Sequence, residues 1–530
     1  MNDLVLSPSQ FRRLAAYGAR TPVEEGHVLY HSGDADYDLF LVDTARVAVS
    51  RDRSTADDEH IVYERGPGDF LGELSLLTGQ QVFLSARVVQ AGEVIRLTRP
   101  RFRQVLQEEP DLADALLEEL VRRRQLMLSA ATSALEIVGE YDDSRTRDIL
   151  AFAERAALPH RHYDPASAEG EALLAAHGAP YSRLPVAFVS SRAVRDATPA
   201  KVAGELGLAG RLPDGEVDVA IIGAGPAGLA AAVYGASEGL STLLIDGIGA
   251  GGQAATSSRI ENYLGFPMGV SGSALAHSAM LQALKFGAHF TAPCVATAIE
   301  TDDHGVRITL SDGATARARA AILALGAQYR RLPLQGLPAY EATGCVRYSA
   351  TELDARDVRG RRVAVVGGAN SAGQAALFLA SRGATVELLV RGGRLQDRMS
   401  DYLLRRIVAE PGITVSVRSH VRELIGDGHL RGIRVEGPDG VRHLAVQNLF
   451  SFVGATPVTE WLNGPELDEH GFVRTDSALR SHVKALPYQT SVPRVFAAGD
   501  VRSGSMKRVA SAAGEGAGAI ASVHAYFAQQ

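Results

Sequence analysis

Val217-Asp218-Val219-Ala220-Ile221-Ile222-Gly223-Ala224-Gly225-Pro226-Ala227-Gly228 is a hydrophobic run that ends in spaced glycines. It reads as strand, turn and helix. Gly223 allows the tight turn, Gly225 lets a pyrophosphate approach the backbone, and Gly228 lets the helix pack on the strand. The helix N–H groups then face the phosphate. Such a site takes an acid for a ribose hydroxyl about 20 residues on. Asp246 stands at that distance, closing the run Ser241-Thr242-Leu243-Leu244-Ile245.

The stretch from Val219 to Ser237 carries no charge and approaches the roughly 20 apolar residues of a membrane span. Gly223, Gly225, Pro226 and Gly228 break it, which argues against a span. A second unit of the same kind follows at Arg362 to Ala380, with Val363-Ala364-Val365-Val366-Gly367-Gly368-Ala369-Asn370-Ser371-Ala372 at its head. Two strand–glycine–helix units predict two Rossmann-like dinucleotide-binding domains.

The chain has 530 residues, enough for three or four domains, and its balance of charged and apolar residues is that of a globular protein. Its net charge of −7 gives no reason to expect nucleic acid as partner. Only 2 cysteines are present, which excludes a disulfide framework and a four-cysteine zinc site and fits a reducing cytoplasm. Glycine is in excess, at 54 residues. The start of the chain lacks the charged-then-apolar layout of a signal peptide, and the histidines show no metal-ligand spacing.

Composition changes along the chain. Residues 1–130 begin with short alternating runs, such as His27–Tyr30 and Arg46–Val49, and end in a helical pattern from Pro110 to Leu128. Residues 133–210 alternate strand and helix: a strand at Leu135–Val138, a helix from Thr146, a strand near Tyr163, a helix from Ala168, a strand at Leu184–Val189 and a helix from Pro199. A glycine- and proline-bearing linker follows, with Gly210, Pro213 and Gly215. The predicted architecture is multidomain: a β-roll with helices, a small α/β domain, then two α/β dinucleotide-binding domains. Of these, residues 215–335 with 456–530 form one and residues 336–455 the other.

Gly251-Gly252-Gln253, Ile260-Glu261-Asn262-Tyr263, Gly265-Phe266-Pro267 and Phe496-Ala497-Ala498-Gly499-Asp500 resemble the FAD signatures of bacterial thioredoxin reductases. The resemblance runs from about residue 215 to the end. It implies that Gly252, Gln253, Asn262 and Gly326 lie by the flavin, that Gly499 and Asp500 hold the ribityl chain, and that Val509-Ala510 opens a helix facing the isoalloxazine. A helix N-terminus favours a reduced, anionic flavin. The resemblance also makes the second fingerprint an NADPH site (or NADH), with Gly367, Asn370, Ser371 and Ala372 at the dinucleotide. Ala369 replaces the middle glycine, and its methyl crowds the pyrophosphate. Arg391 falls where the family has an arginine for the 2′-phosphate, which argues for NADP over NAD. A homodimer is a further implication.

The family carries Cys-x-x-Cys just before the second fingerprint, because passing an electron pair to a protein disulfide needs two adjacent sulfurs. Here Val346-Arg347-Tyr348-Ser349-Ala350-Thr351-Glu352-Leu353 puts Ser349 and Glu352 on those positions. Cys345 stands nearby, and Cys294 reads as part of a strand; both are more often small buried hydrophobes than redox thiols.

The middle unit resembles a thioredoxin or glutaredoxin fold, with Leu184-Pro185-Val186 like its cis-proline turn. Its first helix opens Tyr141-Asp142-Asp143-Ser144-Arg145-Thr146, again without cysteine. The N-terminal unit resembles a cyclic-nucleotide-binding domain. Gly68-Asp69-Phe70-Leu71-Gly72-Glu73-Leu74-Ser75 looks like its phosphate cassette, with Glu73 suited to the ribose hydroxyl. Val82 stands where the cassette needs an arginine for the cyclic phosphate, and Arg87 is out of register. Arg122-Arg123-Arg124 reads as a solvated helix end.

These readings predict an FAD-dependent, NAD(P)H-linked oxidoreductase without a dithiol centre, passing electrons to a quinone, oxygen, an iron–sulfur protein or a small molecule. No catalytic side chain is named. Two alternatives stand beside it: a flavoprotein sensor using its N-terminal domains, and a thioredoxin reductase acting through Cys345.

Overall fold

The computed structural model describes residues 5–529 apart from 35–36, 52–59, 74, 79–80, 83, 130–134, 142, 157, 180, 190–191, 209–211, 258, 351, 398, 428 and 481–484. Parts of the cassette (Leu74, Gly79, Gln80 and Phe83), Asp142, Thr351 and the linker centre therefore lie outside the described residues.

The first unit is two four-stranded antiparallel sheets. One joins Ala19–Val23, Gly92–Leu97, Leu39–Val42 and Phe70–Leu71; the other joins Val28–Tyr30, Ser85–Gln90, Arg46–Arg51 and His60–Arg65. Their apolar residues, including Leu39, Leu41, Val47, Val49, Ala86 and Val88, share one core. Helices Arg99–Glu108 and Pro110–Ser129 follow.

The second unit is a mixed sheet in the order His160–Tyr163, Leu135–Val138, Val186–Val189, Arg192–Val194, with the first two strands parallel and the others antiparallel. Helices Ser144–Arg155, Ala168–Ala176 and Pro199–Glu205 accompany it. The Leu184–Pro185 peptide bond is cis.

Glu216–Ile222, the strand of the first fingerprint, lies inside a seven-stranded sheet. Thr242–Ile245 and Thr315–Leu323 flank it in parallel, and Val495–Ala497 joins the far side of Thr315–Leu323. Val219 to Ile222 are all buried, as a strand covered on both faces must be. The uncharged stretch from Val219 therefore divides into this strand and helix Pro226–Ser237. Among the described residues no helix is long and apolar enough to cross a membrane.

The chain leaves this sheet through Ala327–Tyr329 and returns through Ala455–Pro457, and these two strands pair antiparallel. Between them a five-stranded parallel sheet (Val346–Arg347, Asn448–Ser451, Arg362–Val366, Thr385–Val390, Ile413–Val417) carries the second fingerprint on Arg362–Val366. A three-stranded meander, His420–Gly426 to Gly440–Leu444, completes it.

The N-terminal core does not end at the β-roll. Leu76, Leu77, Phe102, Leu106 and Leu120 belong to one continuous cluster with Ala276, Met280 and Ala283 of helix Gly272–Lys285.

Candidate functional site

Close backbone approaches define the first fingerprint. Gly223 has φ +107°, and a Cβ there would lie 2.3 Å from the Ala324 carbonyl oxygen; a Cβ on Gly228 would lie 1.7 Å from the Gly223 oxygen. Gly252 faces Gly225, since a Cβ on it would come within 3.0 Å of the Gly225 Cα. At Gly499, with φ +78°, a Cβ would meet the Ala227 Cβ at 2.8 Å. The fingerprint, the Gly251–Gln253 loop and the Gly499–Asp500 turn thus meet at the start of helix Pro226–Ser237. The Gln253 side-chain amide donates to the Ala327 carbonyl, beside Gly326. Asn262 is exposed on the neighbouring loop, next to Glu261, which pairs with Arg406 at 2.6 Å.

Some helix starts are capped by a side chain and others are not. The uncapped ones include those after Thr98, Gly336 and Ser400 as well as the fingerprint helices. Ser7, Asp143, Ser167, Thr198 and Ser271 cap the first turns of their helices with a side-chain oxygen. Helices Pro226–Ser237, Asn370–Ser381 and Val509–Phe527 begin after Gly225, Ala369 and Arg508, none of which gives a side-chain cap. Their first N–H groups are left for another acceptor, and a phosphate is one such acceptor. Pro226 gives up an N–H the helix could not use. The glycine cradle and these uncapped turns fit the dinucleotides expected there.

Asp246 is more occupied than its sequence position suggests. Its Oδ2 accepts the Ala224 N–H at 2.7 Å, and its Oδ1 accepts those of Ile248 and Gly249 at 2.9 Å. It fastens the fingerprint to the next loop, while Oδ2 keeps a lone pair for a hydroxyl. Burial pushes the Asp500 carboxyl up, against the nearby Lys507 charge. The turn that holds Asp500 is fixed by a residue sequence reading missed. Buried Glu515 accepts from the Gly499 N–H at 2.8 Å, from Arg502 at 3.0 and 3.1 Å and from Ser505 at 2.8 Å. Its signal was a lone acid inside a helix of small residues.

At the second fingerprint, Gly367 has φ +149°, and a Cβ there would lie 2.6 Å from the Phe452 carbonyl oxygen. Ala369 has extended backbone (φ −107°, ψ 178°), so its side chain brings no strain of its own. The Asn370 Oδ1 accepts the Ser400 N–H at 2.8 Å. Ser371 and Ala372 lie in the first turn of the helix, and Arg391 is exposed just past strand Thr385–Val390.

Ala350 forms a parallel bridge with Ser257, which sets Ser349 next to the loop that follows Gln253. Tyr348 stacks on Tyr329 (6.2 Å, 13°) beside Thr256 and Asp500. The two cysteines belong to different cores, Cys294 with the seven-stranded sheet and Cys345 with the five-stranded sheet and its meander. Cys294 is not in a strand, as its sequence suggested, but in the link after the cis Ala292–Pro293 bond, where proline interrupts pairing. Burial pushes its thiol up to about 11, with Asp312 adding to the effect. The Cys345 sulfur accepts the Leu430 N–H at 3.4 Å.

In the β-roll, Val82 is buried in the core and its backbone pairs with Gly33 and Asp34. Arg87 is exposed, on the other face of its strand from the core. Buried Glu73 donates its N–H to the Tyr37 hydroxyl at 3.2 Å. The arginine run departs from the solvated helix end read from sequence. Arg122 is exposed, but Arg123 and Arg124 are buried, because helix Pro110–Ser129 turns those positions onto the sheets. Arg123 donates to the Phe70 and Gly72 carbonyls at 3.0 and 3.2 Å and to Glu119 at 2.7 Å. A buried charge needs that pairing. Burial pushes the Glu119 carboxyl up, but Arg122 and Arg123 hold it below the usual carboxylate range.

Comparisons with known proteins bear on the family and the fold. Residues 217–516 match the family model of the pyridine nucleotide-disulphide oxidoreductases, and residues 20–109 that of the cyclic nucleotide-binding domain. A thioredoxin reductase of Schizosaccharomyces pombe is 34% identical over 311 residues, covering 56% of this chain and 93% of its own. One from Mycolicibacterium smegmatis is 34% identical over 319 residues, covering 59% and 97%. The crystal structure of T. acidophilum thioredoxin reductase superposes with a TM-score of 0.54 at 30% identity, over 58% of this chain and 98% of that one. The Lactococcus lactis enzyme in its FR conformation gives 0.54 at 30% identity, over 59% and 100%.

Proposed function

The chain belongs to the pyridine nucleotide-disulphide oxidoreductase family, an NAD(P)H-dependent flavin oxidoreductase with FAD as cofactor, and from that premise we propose that its electrons leave to an acceptor other than a protein disulfide. The observation that carries the proposal is the pair Ser349 and Glu352, which stand where two sulfurs would be needed. Neither remaining cysteine supplies a substitute, since both are buried and each is walled into its own core.

We read residues 215–335 with 456–530 as the FAD unit and residues 336–455 as the NADPH unit. Gly223, Gly225, Ala227 and Gly228 give the FAD pyrophosphate a backbone seat. Gly252, Gln253, Gly326, Gly499 and Asp500 line the rest of its length. Gly367, Asn370, Ser371 and Ala372 do the same for the nicotinamide dinucleotide, with Arg391 set for a 2′-phosphate. FAD held by these residues would supply hydride acceptance from the nicotinamide and electron transfer onward. The uncapped N-terminus of helix Val509–Phe527 would favour negative charge on a ring held beside it. Asp500 keeps a carboxylate in a partly dry site. The middle unit, with its strand order and cis-proline turn, we read as a thioredoxin-like module kept for packing rather than for thiol chemistry.

The test is anaerobic mixing of the purified holoprotein with NADPH and, separately, NADH. Bleaching of the flavin absorbance, followed by reoxidation with a quinone or oxygen but not with an oxidised thioredoxin, is the expected result. A flavin that stays yellow with both nucleotides, or one reoxidised by the protein disulfide, overturns the reading.

A further inference from the structure

Helix Gly272–Lys285 of the flavin domain is packed against elements of both the β-roll and the middle unit. Its first turn is built into the flavin loop. The Gly272 N–H donates to the Ser257 carbonyl at 2.8 Å, and a Cβ on Gly272 would lie 1.7 Å from the Ala254 oxygen. A Cβ on Gly251 would meet the Ala276 Cβ at 2.7 Å. About 20 Å away along the axis, its last turn is held by the β-roll. Lys285 pairs with Asp114 of helix Pro110–Ser129 at 2.6 Å, and the Gln107 amide lies against Gly287 just beyond.

Between these ends, the cassette helix Ser75–Thr78 and helix Arg99–Glu108 pack on it from the β-roll. Helix Ser144–Arg155 packs on it from the middle unit, and Arg155 at the end of that helix rests on Gly249 of the flavin loop. His277, on the same helix, is largely buried and within electrostatic reach of the buried Arg124. The contact is apolar and continuous: Leu76 and Leu77 of the cassette share a core with Ala276 and Met280. A close-packed helix fixed at both ends does not absorb a displacement at one end.

We propose that helix Gly272–Lys285 couples the β-roll cassette to the flavin loop, so that the state of one sets the order of the other. The coupling runs through Leu76, Leu77, His277 and the Lys285–Asp114 pair, and it acts whether or not the cassette takes a nucleotide. By linkage it is reciprocal: if FAD binding orders the cassette, ordering the cassette favours FAD by the same free energy. The inference rests on the FAD reading of the loop.

Hydrogen–deuterium exchange of the full-length protein tests it without nicotinamide or turnover. Adding FAD to the apoprotein should slow amide exchange in the cassette peptide Phe70–Leu77 about threefold or more, although helix Gly272–Lys285 stands between that peptide and the flavin loop. Met280→Ala and Lys285→Ala, which cut the apolar contact and the ion pair between the helix and the β-roll, should shrink that cassette response while FAD still binds and protects Gly249–Ser257. Using both variants guards against one of them failing to fold. Cassette exchange that is the same with and without FAD overturns the coupling and leaves the oxidoreductase reading intact. An apoprotein that takes up no FAD overturns both.

Discussion

Ser257 pairs with Ala350 through a parallel β-bridge, so the segment that holds Ser349 lies along the loop leading out of Gly251–Gln253. On the proposed reading, the two positions that would hold a dithiol lie beside the flavin site and carry Ser349 and Glu352 instead. Restoring the sulfurs should therefore restore a reaction. Ser349→Cys combined with Glu352→Cys is expected to raise NADPH-dependent reduction of a small aromatic disulfide about tenfold or more over the parent chain. Cys345→Ser should change nothing. A double variant no faster than the parent would show that more than sulfur has been lost.

The glycines of the flavin domain differ in what they tolerate. At Gly228 a methyl would collide with the Gly223 carbonyl, and backbone on both sides cannot yield. Gly228→Ala is expected to cost several kcal/mol locally, more than about 3, and to yield protein purified without FAD. At Gly239, past the C-terminal end of helix Pro226–Ser237, the backbone has φ +89° and nothing lies within 4 Å of an added Cβ. Gly239→Ala should cost only about 1–2 kcal/mol of left-handed strain and keep its flavin. FAD content per chain, read from absorbance, decides between them.

Glu515 binds the Gly499 N–H, Arg502 and Ser505 from within helix Val509–Phe527. Removing one partner from a buried pair strands the other charge, at a cost of about 3–5 kcal/mol. Glu515→Ala should lower the thermal midpoint by several degrees and loosen FAD, because the Gly499–Asp500 turn loses its anchor. Glu515→Gln, which keeps one acceptor, should fall between. An alanine variant with unchanged FAD affinity would remove Glu515 from the site.

Much of this site was legible in the chain because its constraints are local. A tight turn and a close backbone approach demand glycine at a particular offset, so Gly223 and Gly228 could be read from the residues themselves. Gly252 and the helix start at Val509 came instead from the family resemblance. Arg123 and Arg124 could not. Their run looks like any charged helix end, and only the packing of Pro110–Ser129 on the β-roll turns two of the three inward. Asp246 was found by spacing, but its hold on the Ala224, Ile248 and Gly249 N–H groups depends on two loops meeting. Helix Gly272–Lys285 carries no motif, and its importance comes from what lies against it.

Arg391 is exposed past the end of strand Thr385–Val390, one strand over from the second fingerprint. A guanidinium there can grip a 2′-phosphate but has nothing to hold on a bare ribose. A charge-assisted bond is worth about 1.5–3 kcal/mol, so Arg391→Ala should lower kcat/KM for NADPH about tenfold to a hundredfold and leave NADH unchanged. Equal losses with both nucleotides would show that the residue does not read the phosphate.

His277 should give the stability of the molecule a dependence on pH. Burial, helped by the Arg124 charge, holds its imidazole neutral and pushes its pKa down to about 4. The unfolded chain takes up the proton below about 6.5. Between those values the unfolded state binds more protons than the folded one, so stability falls as pH falls through that window. The full effect, reached near pH 4, is of order 2–3 kcal/mol. Replacing the imidazole with an uncharged amide, His277→Gln, removes this proton uptake. Thermal unfolding at pH 7 and pH 5 should therefore show a smaller drop in Tm for the variant than for the parent. The same drop in both would mean that His277 titrates alike in the folded and unfolded chains. The buried contact with the β-roll would then not exclude the proton.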